Sequence, residues 1–94
     1  MNTENLEVVN NADAHRFEVN LNGKVAMIQY LLTSHLIVFT HTEVPPEFEG
    51  MGIAGKMAKA ALDHAREAGL QVQPLCPFVA AYIRRHPEYQ DLVW

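Results

Sequence analysis

The sequence predicts an α/β fold with a mixed sheet: an antiparallel meander of three strands, or four, followed by helix, strand and helix. Two observations carry this. Alternating and β-branched runs flank an Asn-Gly pair in the first half, and near residue 53 the hydrophobic period lengthens from strand-like to helix-like. The expected order is therefore β-β-β(-β)-α-β-α.

Phe17, Val19 and Leu21 alternate with polar residues, as in a strand with one buried face. Asn22-Gly23 follows, the pair that favours a tight hairpin turn, and Val25 to Leu32 forms a more continuously apolar second strand. Thr33-Ser34 turns the chain into a third run, residues 35 to 44, and Leu6 to Val9 is the candidate for a fourth strand. From Ile53 to Ala68, apolar residues fall at 54, 57, 58, 61, 65 and 68, with charges at 56, 59, 63, 66 and 67. That spacing describes one helix with a flat, alanine-rich face suited to lying on a sheet, stopped by Gly69. Leu70 to Cys76 reads as a short strand, and Pro77 to His86 as a second helix with proline at its first position and Pro87 past its end.

Ninety-four residues make one domain, 1–94, with a modest core. A formal net charge of −4, with no basic block longer than Arg84-Arg85, excludes a nucleic-acid footprint. No apolar run reaches the roughly 18 residues that span a bilayer, and "MNTENLEVVN" lacks signal-peptide features, so a cytoplasmic protein is expected. Cys76, the single cysteine, rules out an internal disulfide and a cysteine-based zinc cluster. The histidines show no ligand spacing, so no metal is expected. A monomer or weak homodimer is expected.

The segment "PPEFEGMGIAGKM" (45–57) places glycines ahead of the long helix, where backbone amides hold phosphate. Three phosphate patterns overlap here. Gly50, Gly52 and Gly55 fit G-x-G-x-x-G, but the following strand offers Val72, Gln73 and Pro74 where a dinucleotide site needs a carboxylate. Gly50 to Lys56 fits G-x-x-x-x-G-K, but Met57 stands where a P-loop needs a hydroxyl for magnesium. The third pattern fits. Val44-Pro45-Pro46 and then Glu49, Gly50, Met51, Gly52, Ile53 and Ala54 resemble motif A of the GNAT superfamily, Q/R-x-x-G-x-G/A, which grips the coenzyme A pyrophosphate.

The resemblance extends over about residues 16 to 92. "EVPPEFEGMGIAGKMAKAALDHAREAGLQVQPLCPFVAAYIRRHPEY" is similar to the small single-domain, YjdJ-type GNAT-like N-acetyltransferases, with C-P-F-V the most specific block. It implies a GNAT-like mixed sheet, acetyl-CoA as co-substrate, acetyl transfer to an amine of a small molecule or protein, and a donor wedged between splayed strands. Val44, Glu49, Gly50, Met51, Gly52, Ile53, Ala54, Gly55 and Lys56 become the candidate cofactor-binding residues. Glu49 departs from the motif's Arg or Gln and repels a pyrophosphate; Lys56, one turn into the helix, is placed to offset it.

For catalysis the candidates are Cys76, Tyr82 and His41. Cys76 precedes Pro77 at the start of the last helix, where the dipole stabilises a thiolate; the plainer reading is a small buried hydrophobe. The resemblance adds a proposed catalytic or acetyl-accepting cysteine at this position. It also implies that Tyr82, in the last helix, protonates the departing thiolate, against the plainer reading of a tyrosine facing the sheet. His41 and Glu43 share one strand face and could serve a general base, or simply be solvated. Arg84 or Arg85 could contact a phosphate. Beside the enzyme stand a non-catalytic acyl-CoA-binding or sensor module and an interaction domain presenting the tail "EYQDLVW".

Overall fold

The computed structural model describes residues 6–94. Residues 1–5, part of the N-terminal stretch read above as lacking a signal peptide, lie outside the described residues. Five strands form one sheet in sequence order: β1 (Val9–Asn11), β2 (Arg16–Leu21), β3 (Lys24–Leu32), β4 (Leu36–Glu43) and β5 (Gln71–Pro74). The first three pairings are antiparallel and β4–β5 is parallel. Helix α1 (Ile53–Glu67) supplies the crossover that a parallel pair needs, and α2 (Pro77–Arg85) follows β5. The mixed α/β sheet predicted from the sequence is the observed one. No described helix is long and apolar enough to cross a membrane.

The hairpin forms where expected. Leu21 pairs with Lys24 around Asn22 and Gly23, both left-handed at φ 52° and 80°, the sign a two-residue type I′ turn requires. The fourth meander strand also forms, shifted from the predicted Leu6–Val9 to Val9–Asn11, which pairs with Glu18 to Arg16. Leu6 and Val8 instead pack their side chains against the core. Asn11 ends this strand by turning its side chain to accept from the Ala14 amide at 3.2 Å.

Both helices cover the same sheet face. α1 packs on β2, β3 and β5, while α2 packs on β4, β5 and α1. Along β3 the pleat sends Ala26, Ile28 and Tyr30 into the core, and leaves Val25, Met27, Gln29 and Leu31 on the uncovered face. The buried stripe of α1 is Ile53, Met57, Ala58, Ala61, Leu62 and Ala65. It is rotated from the predicted one: Ala68 is exposed and Leu62 fully buried, because the sheet and α2 together meet more of the helix than one flat face.

The β3–β4 register carries a bulge. Tyr30 pairs with Phe39 and Gln29 with His41, so Thr40 is an extra residue. One inserted residue reverses the alternation of everything beyond it. Ile37 and Phe39 face the core before the bulge; Thr42, paired with Ile28, faces it afterwards. β5 pairs β4 only from Leu36 to Phe39, and the chain then leaves the sheet with the Cys76 amide donating to the Phe39 carbonyl at 2.9 Å. Thr40 to Glu43 therefore continue without β5 beside them.

The C-terminal segment is less of an exposed tail than its sequence implies. Residues 87–92 form a 3₁₀ helix that buries Tyr89 and Leu92, so that of the segment's large hydrophobic residues Val93 and Trp94 are the exposed ones. Arg66 of α1 ties it down, with both terminal guanidinium nitrogens donating to the Asp91 carboxylate at 2.9 Å and one of them, Nη2, also to the Glu88 carbonyl at 2.7 Å. Tyr89 donates its hydroxyl to Asp63 at 2.7 Å. Burial, and then the hydrogen bond to Asp63, push the Tyr89 phenol up to about 12. Its folded pKa is raised, so its contribution to stability holds below the ordinary 10.0 and is lost as pH rises through about 12. A phenolate absorbance titration should show a step near pH 12, and Tyr89→Phe should remove it.

Candidate active site

A cavity of about 560 Å³ opens where β4, the loop after it, the first turn of α1, and α2 meet. β4 contributes Thr42. The loop contributes Val44, Phe48, Glu49, Gly50 and Gly52; α1 adds Ile53, Ala54 and Gly55; α2 and its end add Phe78, Tyr82, Arg85 and His86. The loop is shaped by its prolines and glycines. Pro46 starts a 3₁₀ turn that buries Phe48 as an anchor, and the chain then passes through Gly50 and Gly52 at φ 83° and 75°. A Cβ on either glycine would meet nothing within 4 Å, so glycine is required there by backbone conformation rather than space. Gly52 occupies the N-cap of α1 without a side-chain cap, and Lys56 is the first residue whose amide returns to it, at 3.1 Å. The amides of Ile53, Ala54 and Gly55 precede any intrahelical partner and carry the positive end of the helix dipole, about half a charge. This is an anion-binding arrangement.

The two glutamates of the loop behave differently. Glu47 is ion-paired with Lys24 in the hairpin turn, a hydrogen bond that holds its carboxyl below the ordinary value. Glu49 lines the cavity. Of the predicted cofactor-binding residues, Val44, Glu49, Gly50, Gly52, Ile53, Ala54 and Gly55 line the cavity; Met51 packs partly against the core. Lys56 faces a separate depression with Leu6, Glu7, Val8, Lys59, Ala60 and Asp63. The expectation that it offsets Glu49 is therefore corrected, since its place on the helix turns it away from the cavity.

Tyr82 lines the cavity, half-buried. Its ring lies against Gly55, where an added Cβ would stand 3.8 Å from Cε2, and stacks on His86 with centroids 3.9 Å apart and planes at 16°. Burial raises the phenol pKa above its ordinary value, keeping the proton on the hydroxyl. Cys76 does occupy the N-cap of α2, as expected, but it is only 2% exposed. The solvent-open thiol predicted from its position is corrected: β4 covers it, with Thr42 Oγ1 at 2.9 Å from Sγ, and Thr42 rather than Cys76 lines the cavity. Iodoacetamide at neutral pH should accordingly leave Cys76 unmodified for times that label it fully in denaturant; equal rates in both would contradict this burial.

His41 is separated from the other two candidates. The bulge at Thr40 pairs it with Gln29 on the uncovered face, with Glu43 opposite Met27 on the same side, whereas Thr42 and Cys76 lie on the helix side. Sequence reasoning missed Thr42, Phe48, Phe78 and His86. The spacing Tyr82-x-x-x-His86-Pro87 was a readable signal for the last of them, since residues four apart meet on a helix. Of the two arginines, Arg85 lines the cavity. Among the described residues, no cluster of three or more His, Cys, Asp or Glu is arranged to hold a metal ion.

With this geometry in place, comparison with known proteins identifies the class. Residues 16–92 match the family described as GCN5-related N-acetyl-transferase, and the chain belongs to that family. It is similar to Protein NATD1 of Gallus gallus, 31% identical over 93% of this chain and 82% of that protein. NATD1 of Homo sapiens is 34% identical over 82% of this chain and 71% of its own. Among solved structures, a GCN5-like protein of Staphylococcus aureus, determined by NMR, superposes with a TM-score of 0.73 at 30% identity, covering 96% of this chain and 89% of that one.

Proposed function

We propose that this protein is an acetyl-CoA-dependent N-acetyltransferase that moves the acetyl group to an amine of a small molecule or a protein. The observation that carries this reading is a cavity that joins an uncapped, glycine-shaped helix N-terminus to a protonated tyrosine. The amides of Gly50 to Gly55 hold the pyrophosphate, and Val44 and Phe78 flank the pantetheine. The thioester reaches the stretch of β4 beyond Phe39 that has no β5 beside it. The acceptor nitrogen attacks the carbonyl carbon, the C–S bond breaks, and Tyr82 gives its proton to the departing thiolate, to be reprotonated from water. The proton that the amine loses passes to water, because His41 lies on the opposite face of the sheet and outside the cavity. Cys76 serves here as wall behind Thr42, with direct attack by the amine preferred over an acetyl-cysteine, because a thiol that is 2% exposed offers no path to the thioester carbon.

Acetyl-CoA titrated into labelled protein should shift the amides of residues 44 to 55 and 76 to 82. Shifts confined to the hairpin at Asn22-Gly23, or none at millimolar ligand, would reject the reading. Glu49→Arg should tighten binding by about 1 kcal/mol or less, an exposed-charge effect that shrinks with salt. The second reading is an acyl-CoA-binding module without turnover. Glu49 on the cavity wall favours it, since a carboxylate there opposes the phosphates. Release of free CoA thiol in the presence of amines separates the two.

A further inference from the structure

Resting on that reading, we propose that His86 is a positioning residue that locks the Tyr82 ring in the orientation needed for proton donation. A half-buried tyrosine on a helix surface can exchange between χ1 rotamers unless neighbours hold its ring. The Cε2 edge of Tyr82 lies over the first turn of α1, where a Cβ on Gly55 would stand 3.8 Å away, and Tyr89 stands beside the ring with centroids 6.2 Å apart. One face of the ring is covered by the stacked His86 imidazole at 3.9 Å and 16°.

The sequence builds this clamp locally. Pro87 disfavours the helical conformation for the residue before it, and His86 is accordingly non-helical at φ −127° and ψ 77°, its amide still donating to the Ile83 carbonyl at 3.2 Å. That backbone turns the imidazole back over the last helical turn. Its Nδ1 sits 2.9 Å from the Tyr82 carbonyl oxygen, so the same residue is tied to the backbone of Tyr82 and stacked on its side chain. His86 itself lines the cavity beside Tyr82. Its contribution is to hold a reactive hydroxyl in place, where a misplacement of about 1 Å costs up to 100-fold in rate.

His86→Ala and His86→Phe test this against the unsubstituted protein, using side-chain NMR of the Tyr82 ring, kcat and KM for acetyl-CoA, and thermal unfolding. His86→Ala should move the Tyr82 ring resonances away from their stacked positions. It should also lower kcat about 10-fold, with KM within about twofold. His86→Phe, which keeps a stacking ring, should restore both. Unchanged Tyr82 resonances in His86→Ala overturn the proposal. So does a loss of kcat that His86→Phe fails to rescue, or one that follows the loss of thermal stability. Absence of turnover in the unsubstituted protein would defeat the transferase reading alone, and the ring resonances would still decide whether His86 holds Tyr82.

Discussion

Tyr82→Phe should lower kcat for acetyl transfer about 100-fold while leaving acetyl-CoA affinity within about twofold, the signature of losing a proton donor that acts in the transition state. The substitution removes one oxygen and keeps the ring, so the contacts with Gly55 and His86 persist and the cavity retains its shape. Burial raises the Tyr82 pKa above 10.0, with the charges of Glu88 and Asp63 adding to it and Lys59 opposing. The donor therefore stays protonated throughout the neutral range, and any loss of activity from its ionisation falls above its ordinary value. Steady-state kinetics over pH, with binding measured separately, gives both numbers. Equal kcat in the variant would move the proton-donor role off Tyr82 while leaving the cavity a binding site.

Phe39→Ala should destabilise the fold by about 3–5 kcal/mol, the usual cost of emptying a buried aromatic site. Phe39 is fully buried at the centre of the sheet, next to the extra residue Thr40 and opposite Tyr30. It also lies at the last β4–β5 pairing, where its carbonyl accepts from the Cys76 amide. For a domain of this size each kcal/mol moves Tm by about 4–8 °C, so the loss should be plain in a thermal melt. Phe39→Leu, which fills most of the volume, should recover much of it. A change below about 1 kcal/mol for the alanine variant would mean that the core beneath the bulge collapses around the gap.

Much of this was legible before the fold was known. The hairpin turn, the start and stop of α1 and the proline start of α2 all formed within a residue or two of their predicted places. The glycine-shaped loop leading into α1 was equally legible as a structural element. Each depends on chemistry confined to a few neighbouring residues: Asn22, Gly23, Gly52 and Gly69 tolerate positive φ, and Pro77 suits a helix start.

What only the tertiary structure decided concerns which side of an element a residue faces and what lies over it. The inserted Thr40 is invisible as a bulge until β4 is laid against β3, yet it sends His41 to the uncovered face and Thr42 to the cavity. Cys76 has the sequence position of an exposed N-cap thiol and is buried because β4, more than thirty residues earlier, crosses over it. Lys56 and Gly55 are adjacent in the chain and serve different depressions, because successive helix residues point about 100° apart. By itself the sequence determined the elements, the glycine loop ahead of α1 and the candidate tyrosine. Strand register and packing, which join residues far apart in the chain, determined which of the candidates share one site.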